Sequence, residues 1–170
     1  MKTIATQDNL YDFIKKHDLK MTRLAQLIGK SDDVVTSCFK HHKDWHGRPR
    51  RFNREHIAAI NAALPVIARE IEERKLEWGT DMTQVETNRW GNTYDKAVLE
   101  QLKNLGFYIN LRGMMTRVLG WKKSKKDAVM SQPSSNSYGA ISKDDVIKIN
   151  TELATVVNVL SDYEVVAEEV

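Results

Sequence analysis

The chain has 170 residues, of which 41% are hydrophobic and 29% charged, with 8 glycines and 3 prolines. That is the balance of a folded protein of one or two small domains, and it excludes disordered, collagen-like and mucin-like chains. A formal net charge of +3 permits a nucleic-acid partner without requiring one, and the single cysteine, Cys38, rules out an intrachain disulfide or a multi-cysteine zinc site. The longest apolar stretch, Ile57 to Ala68, is broken by Asn61 and is short of the roughly 20 residues that cross a bilayer. Residues Met1 to Leu10 lack the apolar run of a secretory signal. The expectation is a cytoplasmic protein with no membrane partner.

In chain order, the pattern predicts a helix over Asn9 to His17, an extended Leu19-Lys20, a helix ending at Gly29, and a second short helix N-capped by Ser31. A basic segment follows. Lys40, Lys43, Arg48, Arg50, Arg51 and Arg54 face one acid, Asp44, with His41, His42 and His46 interleaved. An apolar stripe then runs through Ile57, Ile60, Leu64, Ile67 and Ile71; Pro65 predicts that it divides into helices over 54–64 and 65–77. Residues 78–93, with Gly79, Gly91, Trp78 and Trp90, read as a linker.

The events then recur. A helix over Tyr94 to Leu105, an extended Ile109-Asn110, a helix ending at Gly120 and a short helix with Ser124 at its N-cap lead to one long helix over 143–161. Adding 89 to each position of the first stripe gives Val146, Ile149, Leu153, Val156 and Leu160, all apolar. The flanks obey the same offset: Phe52 with Ile141, Asn53 with Ser142, Arg54 with Lys143, Glu55 with Asp144, and Asn61 with Asn150. No window alternates with period two, so strands are expected to be incidental. The predicted fold is all-α, as two tandem domains that each contain a helix-turn-helix: residues 1–77, a linker over 78–93, and a diverged second copy over 94–170.

The segment Thr22 to Phe39 carries the most specific pattern. Ala25 is small where a second helix would cross, Gly29 supplies a left-handed turn, and Leu24, Ile28, Val35 and Cys38 fall on the inward side. With the helix before it and the stripe after it, this segment resembles the lambda-repressor-like (Cro/C1-type) helix-turn-helix DNA-binding family over about residues 8 to 75. Met114, Met115, Val118, Leu119, Gly120, Ser124, Ala128 and Val129 resemble a diverged second copy, departing at Thr116 and in a turn two residues longer.

The resemblance implies that the helix from Ser31 lies in the major groove of double-stranded DNA, with the following loop on phosphates. Lys30, Ser31, Asp32, Thr36, Ser37 and Lys40 become candidates for base or phosphate contact, and Arg48, Arg50, Arg51 and Arg54 for the backbone. Asp32 and Asp33 suit a helix N-terminus, and read bases only if one of them accepts from a cytosine amino group. In the second copy the DNA-binding candidates are Lys122, Lys123, Ser124, Lys125, Lys126, Ser131 and Gln132. They lie in or beside a run from Arg112 that also holds Arg117 and has no acid as far as Lys126.

Other constellations carry less. Cys38, His41, His42 and His46 could be drawn as a zinc set, but the inward position of Cys38 explains it without a metal, and no metal or cofactor is expected. Gly29-Lys30-Ser31 lacks the earlier glycine of a phosphate loop. No catalytic triad or carboxylate pair is evident, so an enzyme is not expected. Trp45 is expected to pack in the core or the loop rather than on a sugar edge.

The functional expectation is a phage- or plasmid-type transcriptional regulator reading an asymmetric site with two linked units, and a homodimer through the C-terminal helices is a further partner expectation. The alternative is a protein-interaction module, antitoxin-like or a phage accessory protein, whose working surface is the two helical stripes.

Overall fold

The structure is a computed structural model and describes residues 2–78, 85–87, 93–131 and 141–167. It is mostly helical. In chain order the elements are β1 (Thr3–Thr6), α1 (Gln7–Lys16), α2 (Thr22–Ile28), α3 (Asp32–Phe39), α4 (Arg54–Glu72), β2 (Val85–Thr87) and β3 (Thr93–Asp95). They continue as α5 (Lys96–Leu105), α6 (Leu111–Met114) running into a π-helical turn (Met115–Leu119), α7 (Lys123–Ser131), α8 (Lys143–Asp162) and β4 (Tyr163–Val166). No helix among the described residues is long and apolar enough to cross a membrane.

The chain forms two compact units that are not contiguous in sequence: residues 1–71 with 156–170, and residues 72–155. The expected division into 1–77, a linker over 78–93 and 94–170 therefore differs from the observed one. The reason lies in the first unit, where β1 pairs in parallel with β4, Thr3 opposite Tyr163 and Thr6 opposite Val166. Beside this ladder Thr3 Oγ1 donates to the Asp162 carboxylate. The strands are short but organised, which the sequence expectation of incidental strands missed. Within the span expected to be linker, Val85–Thr87 pairs antiparallel with Thr93–Asp95; Gly79, Trp90 and Gly91 lie outside the described residues.

In the first unit, Thr6 opens α1 with a reciprocal cap: its hydroxyl accepts from Asn9 N at 3.1 Å and Asn9 Oδ1 accepts from Thr6 N at 3.0 Å. Leu10, Phe13 and Ile14 of α1, Leu24 and Ala25 of α2, and Val35, Cys38 and Phe39 of α3 are all buried, and Phe39 stacks on Tyr11 at 5.2 Å and meets Phe52 edge-on at 4.9 Å. The stripe of α4 is buried throughout, from Ile57 to Ile71. Asn53 caps α4 by accepting from His56 N at 2.8 Å. The predicted break at Pro65 is absent, because α4 is continuous through it. Pro65 is on the exposed side, so its ring displaces nothing in the core, and the only loss is one backbone bond to the carbonyl of Asn61.

In the second unit, Leu102 and Leu105 of α5, Ile109, Leu111, Met114, Met115, Ile141 and the α8 residues Val146, Ile149 and Leu153 form the core. Ser142 and Asp145 make the reciprocal cap of α8, with Asp145 N to Ser142 Oγ at 3.2 Å and Ser142 N to Asp145 Oδ2 at 3.1 Å. Two departures from the expected second copy stand out. Ser124 is not an N-cap: α7 begins one residue earlier, at Lys123, and Ser124 is exposed in its first turn. The helix before Gly120 also widens to π geometry over its last turn.

Candidate functional site

The surface around α2, α3 and the following loop gathers most of the first-copy candidates. Gly29 ends α2 with φ +74°, and Gly29 N and Lys30 N donate back to Gln26 O and Ala25 O at 3.2 and 3.0 Å, which turns the chain tightly enough for α3 to start at Asp32. A Cβ at Gly29 would meet nothing within 4 Å, so the backbone conformation and not crowding calls for glycine. Ser31 caps α3, its hydroxyl accepting from Val34 N at 3.3 Å.

The outer side of this arrangement is polar. Lys30, Ser31, Asp32, Asp33 and Lys40 are exposed, whereas Thr36 and Ser37 are half-buried, and the Thr36 hydroxyl lies 3.6 Å from the Met21 sulfur. Thr22 Oγ1 donates to Asp32 Oδ2 at 3.2 Å, tying the start of α3 to the start of α2. Asp32 therefore has a structural use besides its favourable place at the positive end of α3.

Behind α3 the chain does something the sequence pattern did not suggest. His41, with φ +53°, and His42 close a left-handed helix end, His41 N donating to Cys38 O at 3.3 Å and His42 N to Ser37 O at 3.0 Å. The His41 ring reaches back to Asp8, Nε2 to Oδ1 at 2.9 Å. From there a hairpin forms: Arg50 N donates to His42 O and Asp44 N to Arg48 O, both at 2.8 Å, and Gly47 N closes the turn on Asp44 O at 2.9 Å with φ +77°. Asp44 Oδ1 accepts from His46 N and Arg48 N at 2.9 and 3.0 Å. The signal was in the sequence, since Asp and Gly three apart mark the first and last positions of a common turn.

Arg48, Arg50, Arg51 and Arg54 are exposed along this hairpin and the start of α4, and Trp45 at its tip is 88% exposed. Of the expected core or loop packing, the core half is thus corrected: Trp45 lies in the loop, against His46. In a loop of three residues the ring lies against its neighbour, its centroid 3.6 Å from that of His46.

Gln7 is a residue that sequence reasoning missed. It is 3% exposed, and its side-chain amide donates to Cys38 O at 2.6 Å, securing the C-terminal end of α3 from α1. Cys38 is buried, and that burial raises its thiol pKa above the ordinary value, with Arg50 and Lys30 pulling weakly the other way. Among the described residues no three histidine, cysteine or acidic side chains gather as a metal site.

In the second unit the basic run is less available than its composition suggests. Arg112 bonds to Asp127, holding that carboxyl below its usual range, and Arg117 pairs with Glu152 at 3.1 Å. Lys125 lies 4.4 Å over the Trp121 ring, and Lys126 Nζ donates to Thr116 Oγ1 at 2.6 Å. Thr116 stands where the first copy has Ala25, so this bond links the two helices at the corresponding point. Lys122, Lys123 and Ser124 remain exposed. Ser131 ends α7, and Gln132 lies outside the described residues. No protein-family model, curated protein or solved structure matches the chain.

Proposed function

We propose that the protein binds double-stranded DNA as a phage- or plasmid-type transcriptional regulator, with two linked lambda-repressor-like helix-turn-helix units reading an asymmetric site. The observation that carries this reading is the first unit's combination of a Ser31-capped helix with a polar outer side and, directly after it, an exposed basic segment of Arg48, Arg50, Arg51 and Arg54. A capped helix presented beyond a tight turn suits the major groove, and arginines beside it suit the phosphates.

The second copy contributes attraction through Lys122 and Lys123 more than sequence choice, since its other bases have internal partners. Linkage raises the effective concentration of one reader near the other's site to about millimolar, so two weak readers suffice.

The rival reading, an interaction module that works through its helical stripes, needs those stripes at the surface. Ile57, Ile60, Leu64, Ile67, Ile71, Val146, Ile149, Leu153, Val156 and Leu160 are all buried. A homodimer through the C-terminal helix would likewise have to use its outer side, where Ile147 is 55% exposed.

Selection of tight binders from a randomised duplex pool by the intact chain tests the proposal. Enrichment of one asymmetric sequence supports it; binding without enrichment, or recovery of a perfect palindrome, contradicts the two-reader account.

A further inference from the structure

We propose that the hairpin from His42 to Arg50 is a minor-groove wing, with Trp45 as an apolar wedge at a base step and Arg48 and Arg50 on the flanking phosphates. The proposal rests on the DNA-binding reading above and adds to it a second groove and a residue that this reading leaves unused.

Trp45 is the most exposed of the large hydrophobic residues described, at 88% against 60% for Ile4, 55% for Ile147 and 41% for Phe107. Among the described residues its ring neighbour is His46, itself exposed. An indole left in water forgoes the burial free energy that its large apolar area could supply, and that area stays available for contact.

The hairpin that carries it is held firmly. Its strands are joined by the Arg50 to His42 and Asp44 to Arg48 backbone bonds, its turn by Gly47, and its base by the His42 to Ser37 bond and the His41 to Asp8 contact. A preorganised tip loses little freedom on binding.

Charge selects the partner. From Lys40 to Arg54 the only acid is Asp44, and one of its carboxylate oxygens is occupied by two backbone N–H groups inside the turn. Lys43, Arg48, Arg50 and Arg51 are left exposed around an aromatic tip, which is complementary to a polyanion with a groove to fill.

Closeness in the chain suggests the groove. The hairpin begins two residues after Lys40 caps α3; with α3 in the major groove, a wing attached there would have a bounding phosphate strand and the adjacent minor groove within reach. That groove is about 6 Å wide and is the one in which proteins combine arginines with apolar wedges.

The test is a fluorescence-anisotropy titration of the full chain, wild type, W45A and W45F, with random-sequence duplexes of about 30 base pairs at several salt concentrations. Because the Trp45 side chain supports nothing in the core, W45A folds as the wild type does. The expected result is about tenfold weaker binding by W45A, near wild-type binding by W45F, and an unchanged slope of affinity against salt, since every phosphate keeps its basic partner. Netropsin occupying the minor groove should bring the wild type down to the W45A level and leave W45A unaffected. Wild-type affinity in W45A, or equal weakening of both proteins by netropsin, overturns the wing while leaving DNA binding intact. A wild type that binds no duplex overturns the DNA-binding reading itself, and the wing with it.

Discussion

Asn61 and Asn150 make the same pair of hydrogen bonds to backbone segments that are themselves related by the same 89-residue offset. In the first unit Asn61 Nδ2 donates to Val165 O at 2.8 Å and Val165 N donates to Asn61 Oδ1 at 2.7 Å. In the second, Asn150 Nδ2 donates to Leu76 O at 2.8 Å and Leu76 N to Asn150 Oδ1 at 2.9 Å. Val165 and Leu76 are both buried, so each asparagine replaces the water that a chain segment loses when it docks beside a long helix.

Replacing either asparagine by alanine leaves a buried N–H and a buried carbonyl without their side-chain partner. N61A and N150A are each expected to lose about 2 kcal/mol of stability, measured as the shift in urea midpoint of the intact protein. A loss below about 0.5 kcal/mol in both would mean that the segments are held by their apolar contacts alone.

The repeat was legible because it is local. Stripe spacing, the caps at Asn53 and Ser142, and the turns at Gly29 and Gly120 all depend on residues a few positions apart, and each is found. What the sequence concealed is non-local or permissive. Four-residue strands such as Thr3–Thr6 show no periodicity until their partner is known, and β4 lies at the other end of the chain. That pairing, invisible locally, draws residues 156–170 into the first unit. Pro65 reads as a breaker in any sequence, but on an exposed face a helix absorbs it. The site was legible as composition more than as geometry: Asp127 follows the acid-free basic run by one residue and takes Arg112 out of it, and Trp45 reads as an anchor in the sequence but is a tip in the fold.

Two of the left-handed helix ends, at Gly29 and His41, should respond differently to substitution. G29A forces a Cβ into φ +74° with no clash elsewhere, so the expected cost is about 1 kcal/mol. H41G relieves the same strain at φ +53° and gives up an exposed contact with Asp8, so its stability should stay within about 0.5 kcal/mol of wild type. Thermal or urea unfolding of the two variants checks the contrast.

Cys38 should resist modification and contribute to alkaline instability. Its folded-state pKa is raised by burial, so folding favours the protonated thiol. That contribution is fully present below the unfolded thiol value of about 8.5 and is lost as pH rises through the raised folded value. Iodoacetamide should label native protein at pH 8 far more slowly than urea-unfolded protein, and C38A should lose less stability than wild type between about pH 8 and 10. Equal labelling rates would place the thiol at the surface.

The lysines of the second unit should not be equivalent. K122E/K123E reverses two exposed charges and is expected to weaken duplex binding and to lower the salt slope by up to about 0.9 for each phosphate no longer neutralised. K126A, by contrast, breaks the bond to Thr116 and should show first in stability, by roughly 0.5–1.5 kcal/mol, and only weakly in affinity. The pair of variants separates a lysine that faces solvent from one that joins two helices.

The most direct test of the central claim is anisotropy titration of the intact chain with random duplex DNA across a salt series. Measurable binding is expected at about 50 mM salt, falling steeply and linearly on a log–log plot as salt rises, its slope counting the phosphates met by Arg48, Arg50, Arg51, Arg54, Lys122 and Lys123. No binding at about 50 mM salt, or binding indifferent to salt, would contradict it and leave the helix-turn-helix resemblance a matter of architecture.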